Sequence, residues 1–526
     1  MAKRSTITSP VTVRAVPSKN RPIVVLDFGG QYTHLIARKV RSLGVYSHVL
    51  KHDSSSDTLF SLDPAGIILS GSPHSVNDRY APKLGCDIFS LGIPILGICY
   101  GLQYIMRRFG GKVAVAKRRE YGDVEIRLSK SPLYKGLDNK ILVWMSHGEE
   151  LISPPTGFRI TGKSKTGIAS IENSKKNIYC LQYHPEVHHS KQGVKIISNF
   201  VHVVCGQKSY WKMPRFIDAK VEEIKKTVGN RKVFLALSGG VDSSVLALLL
   251  NKALGPQLFP VFVDNGLLRN GEVKKVIETF RKKLKINLIF EDASELFLKK
   301  LAGVKDPEKK RKIIGNLFVE VFFRHLKKND MLAQGTLYTD IIESVSIIGP
   351  STLIKTHHNR VKEILDLQKK GRLIEPFSTL FKDEVRKIGK DLGLPNELLK
   401  RHPFPGPGLA VRILGEVTKE RLALLRAADE IFLDELKRNH LYDQLWQCFA
   451  VLLPVKSVGV MGDRRGYGAT IALRAVDATD GMTADFHVFE KDFLSKVSNR
   501  IIGEIEGISR VVLDITSKPP ATIEWE

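Results

Sequence analysis

Short apolar runs, each ending in a turn that opens a helix, recur along this chain and constrain its fold more than any other feature. Pro22–Asp27, Gly66–Leu69 and Ile93–Gly97 are such runs in the N-terminal part. Lys232–Leu237, Leu258–Val263 and Asn287–Glu291 repeat the pattern further on. Apolar runs of this length, bounded by turn formers, read as buried strands, and their alternation with helices calls for largely parallel sheets. The expected fold is therefore α/β multidomain. Two parallel-sheet α/β domains come first. A break at the Pro- and Gly-rich Arg401–Gly408 then leads to a small α+β domain. That last part is expected to hold a long helix over about Thr418–Arg438 and strands at Phe449–Val455, Thr470–Val476 and Arg510–Ile515.

The chain has 526 residues, which at roughly 150 residues per domain suggests about three domains. The expected boundaries are a basic, disordered extension over 1–20, a first domain over 21–206, a second over 207–401 and a third over 402–526. No apolar run reaches the roughly 20 residues of a membrane-spanning helix, and the N-terminus lacks the apolar core of a secretory signal. The five cysteines, Cys86, Cys99, Cys180, Cys205 and Cys448, form no C-x-x-C pair. Their number and spacing argue against a zinc ribbon and for a reducing compartment, hence the cytoplasm. The net charge of +26 raises the question of nucleic acid. Its basic runs, such as Lys282–Lys285 and Lys309–Lys312, lack the interleaved aromatics of a stacking platform, so that reading is set behind an enzyme of phosphorylated substrates.

The first chemical signal is Gly97-Ile98-Cys99-Tyr100-Gly101, directly after Ile93–Leu96. Glycines around a nucleophile let the chain turn sharply from strand to helix and present the side chain at the top of the sheet. There the next backbone N–H faces an oxyanion, and the helix start favours a thiolate. The turn alone reads equally well as a buried structural cysteine. His184-Pro185-Glu186, after another apolar strand, alters the balance. Residues two apart in extended chain share a side, so Glu186 can orient His184 as the base toward Cys99.

With Asp27–Tyr32, Leu69–Pro73 and Trp144–Gly148, these segments make residues 21–205 resemble the class I glutamine amidotransferases. The resemblance implies a flavodoxin-like domain, a triad of Cys99, His184 and Glu186, and an oxyanion hole from the N–H groups of Gly71 and Tyr100. Gly30, Ser72 and Glu149 stand where that family more often has Ser, Gly and Asp.

The second signal is Ser238-Gly239-Gly240-Val241-Asp242-Ser243-Ser244, after Val233–Leu237 and opening a helix. Two glycines allow close backbone approach to phosphate, while Ser243, Ser244 and the helix N–H groups cradle it. Asp242 is suited to Mg²⁺. No Gly-Lys-Ser/Thr follows, so this is not a Walker loop. It resembles the pyrophosphate loop of the N-type ATP pyrophosphatases, which implies an adenine-nucleotide hydrolase-like domain that transfers AMP. Lys382 would then neutralise departing pyrophosphate and Val263 would pack on adenine. Asp306–Lys312 reads either as a mobile charged lid or as the solvated start of a helix.

The remaining stretches extend the likeness across Arg21–Glu526. Arg401–Gly408, Val458–Asp463, Ser498–Ile502 and the terminal Ser517–Glu526 resemble the glutamine-hydrolysing GMP synthases, as do Asp264–Arg269 and Gln334–Tyr338. The resemblance implies the substrates xanthosine monophosphate (XMP), ATP and glutamine, with Mg²⁺ and a homodimer formed through the C-terminal domain. It assigns Arg269 and Lys518 to the nucleotide phosphate, and Ile523 and Glu524 to the purine end. Thr339, Arg360–Glu363 and Arg464–Gly468 depart locally from that family's pattern. An ATP pyrophosphatase acting on another acceptor, such as tRNA, is the competing reading.

Overall fold

The computed structural model describes residues 20–338, 340, 362–461, 464–478, 484–518 and 520–526. The basic extension up to residue 19, Thr339, the 357–361 stretch and the pair Gly462–Asp463 lie outside the described residues. Two compact units divide the chain, one ending at Lys212 and the other running Met213–Glu526.

The first unit is built on a nine-stranded sheet. Its strands are β1 (Ile23–Asp27), β2 (Ser47–Lys51), β3 (Gly66–Leu69), β4 (Ile95–Ile98), β5 (Lys112–Leu128), β6 (Lys140–Ser153), β7 (Arg159–Lys163), β8 (Ile168–Asn173) and β9 (Ile178–Leu181). Their order is β2-β1-β3-β4-β9-β8-β7-β5-β6. The first five strands are mutually parallel. They read as unbroken apolar runs because both faces are covered: β3 and β4 are buried at every residue. From β8 onward the pairing is antiparallel. β5 and β6 form a long hairpin with a break in register between Val115 and Glu120. In β6 the residues Ile141, Val143, Met145 and His147 are buried in alternation.

The second unit holds a five-stranded parallel sheet, ordered β12-β11-β10-β13-β14. These strands are β10 (Val233–Ala236), β11 (Leu258–Asp264), β12 (Ile289–Asp292), β13 (Met331–Ala333) and β14 (Leu373–Ile374). The helix after β10, Val241–Leu254, shows no narrow apolar stripe because it is buried almost all round. Val245, Leu246, Ala247, Leu249 and Leu250 are wholly inaccessible. A four-stranded sheet follows: β15 (Gln447–Met461) and β16 (Arg464–Asp477) are antiparallel, with β17 (Asp485–Phe486) and β18 (Ile508–Leu513) both paired to β16. The helix Lys419–Arg438 begins where expected, with the Thr418 hydroxyl accepting from the Arg421 N–H at 3.2 Å. The Arg401–Gly408 segment lies inside this unit. Leu409, Ala410 and Ile413, just beyond it, share one apolar core with Val261 and Val263 of β11 and with Leu473 of β16.

One sequence expectation is corrected here. Asp306–Lys312 starts a helix, one of its two expected readings, but that start is not all solvated. Asp306 caps the helix Pro307–Phe323, its carboxylate accepting from the Lys309 N–H at 2.7 Å. Lys310 is fully buried. Its ammonium donates to the carbonyls of Ala410 (3.1 Å) and Ile413 (2.6 Å) and to the Glu526 carboxylate (2.6 Å). A buried lysine is retained only when paired and hydrogen-bonded in this way, and those bonds anchor the helix start.

Candidate active sites

Strand register explains why residues distant in sequence meet at the first site. Ile98, the last residue of β4, lies opposite Leu181, the last residue of β9. The Cys99 N–H donates to the Leu181 carbonyl at 2.7 Å. Whatever follows the two strands is therefore brought side by side at their carboxyl ends. Cys99 adopts φ 51° and ψ −106°, a left-handed conformation that costs a non-glycine residue about 1–3 kcal/mol. The helix Tyr100–Arg108 starts immediately after it. Gly101 has no alternative, since a Cβ there would stand 2.5 Å from the Leu69 carbonyl oxygen.

His184 Nδ1 lies 2.7 Å from Glu186 Oε1, and both side chains are buried. The His184 backbone is fixed on two sides. Its N–H donates to Trp144 O at 3.0 Å, and its carbonyl accepts from Ser190 Oγ at 2.6 Å. Burial pulls the imidazole pKa down, but the Glu186 carboxylate and a hydrogen bond with Cys99 outweigh it, raising the group to about 10. The ring is thus held as imidazolium beside the sulfur at neutral pH. The backbone of Gly71 stands over this pair: a Cβ there would lie 3.4 Å from His184 Cε1 and 3.9 Å from Cys99 Cβ. Buried Ser70 ties that strand end in place. Its hydroxyl accepts from the Phe28 N–H (3.0 Å), and its carbonyl accepts from the Gly101 N–H (3.1 Å).

All three departures from the amidotransferase pattern have structural correlates. A Cβ on Gly30 would sit 2.4 Å from the Gly71 carbonyl oxygen, so serine there would displace the strand that faces Cys99. Glu149 accepts from Ser75 Oγ and, at 3.4 Å, from Asn77 Nδ2. Ser72 accepts from the His74 N–H at 3.2 Å. Sequence reasoning missed Gln182, whose Nε2 lies 3.9 Å from Cys99 Sγ. The signal was available, since Gln182 stands two residues before His184 and so on the same side.

At the second site, Gly239 takes φ +71°, and Gly240 caps the helix Val241–Leu254. Ser238 and Ser243 join their hydroxyls at 3.0 Å, and Ser244 donates to Gly240 O at 2.7 Å. The loop is thus closed on itself around the start of a long helix, where N–H groups and the helix dipole favour an anion. Lys382 Nζ is 3.8 Å from Asp242 Oδ2, while Asp242 Oδ1 is buried with no hydrogen-bond partner. An orphaned carboxylate oxygen beside an anion cradle fits a divalent cation with oxygen ligands. Val263 is 4% exposed and belongs to the apolar core with Leu267 and Phe297. Asp264, next along, has its carboxyl raised by burial, opposed by the Gly266 N–H at 2.8 Å.

Of the residues expected to meet the acceptor nucleotide, Arg269 lies against Phe404. Arg269 Nε pairs with Asp429 Oδ2 at 2.6 Å, and its guanidinium lies 4.9 Å from the Phe404 ring centre. Burial disfavours that charge, but Asp429 more than offsets it; Arg269 Nη2 is left buried with no partner. Glu524 is gripped by fully buried Arg412 (2.8 and 3.1 Å) and by Gln447 Nε2 (2.6 Å). Ile523 packs against Phe449 and Val451. Lys518 is joined through its backbone to Ala484, at 2.7 and 3.0 Å.

Comparison with known proteins follows this division of the chain. Residues 24–204 match the model of the class-I glutamine amidotransferases, 232–333 that of the phosphoadenosine phosphosulfate reductase domain, and 434–525 that of the GMP synthase C-terminal domain. The chain is 54% identical over 514 residues to the glutamine-hydrolysing GMP synthase of a Nitratiruptor species, covering 96% of this chain and 99% of that one. It is 54% identical over 515 residues to the enzyme so named from Thermosipho africanus, with the same coverage. The corresponding protein of Aliarcobacter butzleri is 53% identical over 515 residues, covering 97% and 100%.

Proposed function

The chain belongs to the glutamine-hydrolysing GMP synthases, and from that premise we propose how its own residues divide the reaction. The Cys99 thiolate attacks the glutamine carboxamide beside the His184 imidazolium. The N–H groups of Gly71 and Tyr100 receive the negative oxygen. His184 passes a proton to the departing ammonia, and water then hydrolyses the glutamyl thioester. Glu186 keeps the imidazole oriented and charged.

In the second unit, the Ser238–Ser244 loop binds the phosphates of ATP, and Lys382 offsets the charge of departing pyrophosphate. Asp242 would hold Mg²⁺, which supplies charge neutralisation to the phosphates when bound; the buried orphan oxygen of Asp242 supports this. The purine C2 oxygen of XMP is a poor leaving group. Transfer of AMP onto it makes a good one, and ammonia then displaces AMP to give GMP. Arg269 and Lys518 bind the nucleotide phosphate, Ile523 and Glu524 the purine. The unpartnered Arg269 Nη2 supports the phosphate role.

The observation that carries this reading is the presence in one chain of a buried Cys–His–Glu line and a separate helix-start cradle for anions. A homodimer through the C-terminal part is supported by apolar side chains left exposed on the β15–β16 hairpin, Val460 at 72% and Tyr467 at 77%; sedimentation at micromolar concentration tests it. A cytoplasmic setting is supported by five free thiols. The deciding experiment for the reaction follows GMP and AMP from XMP, ATP and Mg²⁺, with glutamine or ammonium as nitrogen source. Equal amounts of GMP and AMP from either source are expected. Glutamine hydrolysis without GMP from either source would leave the acceptor to be sought among other molecules, RNA included.

A further inference from the structure

We infer that Arg401, held by Glu272, is a positioning residue for the phosphate-binding loop and ties that loop to the Pro- and Gly-rich segment it begins. The inference rests on the reading of Ser238–Ser244 as the ATP phosphate site. Arg401 Nη1 donates to the carbonyl of Gly239 at 2.7 Å. Its Nη2 pairs with Glu272 Oε1, and the other Glu272 oxygen accepts from the Arg269 N–H at 3.1 Å. Glu272 is 7% exposed, so this carboxylate is shielded from water and from the screening that weakens surface pairs.

The peptide between Gly239 and Gly240 is the one most free to rotate, because Gly239 sits at φ +71° and both flanking residues lack side chains. Its two polar ends point opposite ways. Fixing the Gly239 carbonyl on Arg401 fixes the Gly240 N–H on the other side, where it already donates to Ser238 Oγ at 3.3 Å inside the loop. That N–H is one of the donors a bound phosphate would use. Arg401 thus removes by its hydrogen bond a freedom that the glycines create. The same guanidinium lies 5.8 Å from the Phe404 ring, on which Arg269 also stacks. A shift of the Arg401–Gly408 segment therefore reaches the loop through one side chain. Lysine cannot reproduce the arrangement, since only the guanidinium fork reaches both carbonyl and carboxylate in one plane.

The test compares Arg401→Met, Arg401→Lys, Glu272→Gln and the double variant Arg401→Met/Glu272→Gln in the full chain. KM for MgATP and kcat are measured with ammonium as nitrogen source, and XMP affinity is measured without ATP. Loss of one charged hydrogen bond to the loop should raise KM for MgATP by about tenfold. Arg401→Lys should recover part of this, Glu272→Gln should shift it in the same direction, and the double variant should be no worse than Arg401→Met alone. A general loss of packing would instead lower kcat, XMP affinity and MgATP affinity together, and that result overturns the inference. So does an MgATP KM within twofold of the parent, or additive effects in the double variant. Asp242→Ala and Ser243→Ala separate the two levels. If neither impairs ATP use, the loop reading itself fails; if they impair it and Arg401→Met does not, only the role of Arg401 fails.

Discussion

Replacing Glu186 by glutamine removes one charge while keeping the side chain's shape and a hydrogen-bonding oxygen for His184. The pair is buried, with Nδ1 and Oε1 2.7 Å apart, so solvent screens it little. Burial lowers the His184 pKa, Glu186 and then Cys99 raise it, and the net result carries it from 6.5 to about 10. At about 1.4 kcal/mol per unit, that is roughly 5 kcal/mol of preference for the imidazolium. A neighbouring carboxylate raises such a pKa by about 1–3. Without it, the downward pull of burial meets only Cys99, and the imidazolium should be lost between roughly pH 7 and 9. The observable is the apparent alkaline limb of kcat/KM for glutamine hydrolysis. The parent enzyme should keep its activity up to about pH 10, and Glu186→Gln should lose it earlier. Stability follows the same sign. A raised folded pKa stabilises fully below the unfolded value of 6.5 and is lost as pH rises through about 10. The stability advantage of the parent over Glu186→Gln should therefore narrow across that window. An alkaline limb that does not move in a folded variant would refute the electrostatic argument and leave Glu186 as an orienting group only.

Cys99→Ala should abolish glutamine-dependent GMP formation and leave synthesis from ammonium; loss of both in a folded protein would contradict the two-site division. Cys99→Gly should be more stable to heat than Cys99→Ala by about 1 kcal/mol, because glycine alone takes the left-handed turn without strain; equal melting temperatures would show that the turn is unstrained. Asp242→Ala should stop AMP formation, measured by chromatography of the nucleotides, while glutamine hydrolysis continues. Lys310→Met should destabilise the chain by about 3–5 kcal/mol in urea unfolding, since it strands the Glu526 carboxylate beside a buried apolar stem; a loss below about 1 kcal/mol would show that water already reaches that pair.

What the sequence made legible was local. The turn at Cys99 is written in the apolar run before it and the glycines around it, and the cradle at Ser238–Ser244 likewise needs only its own seven residues. What stayed hidden depends on partners far along the chain. Val263 was expected to meet adenine because it ends a strand. A strand covered on both faces carries no alternation to tell which side chains line a ligand site and which fill the core, and Val263 belongs to the buried core. Lys310 lies in the run Lys309-Lys310-Arg311-Lys312, which reads as a solvated charged face. Its carbonyl partners lie at Ala410 and Ile413 and its counter-ion at Glu526, and nothing near it in sequence distinguishes it from its neighbours. The β5–β6 hairpin escaped for a related reason. Its pairing over Lys112–Ser153 is broken by the register shift between Val115 and Glu120, so no single period runs through it.

The two sites solve one problem with opposite means. Each stands at the carboxyl end of a parallel strand, where a helix begins and its first N–H groups face a negative charge. At the first site the charge sits on the protein's own sulfur and on the oxygen of the group that sulfur attacks. A side chain must occupy the turn itself, so the strained left-handed position falls on Cys99. The glycine needed for close packing then moves to position 101, against Leu69. At the second site the charge arrives with the ligand, and the backbone must approach it closely. The left-handed position there falls on Gly239, which bears no strain but also holds no fixed orientation by itself. Rigidity at the first site comes from β4 and β9, whose register fixes both nucleophile and base. At the second it has to come from outside the loop, and among the described residues the group that reaches the Gly239 carbonyl is Arg401, set in place by Glu272.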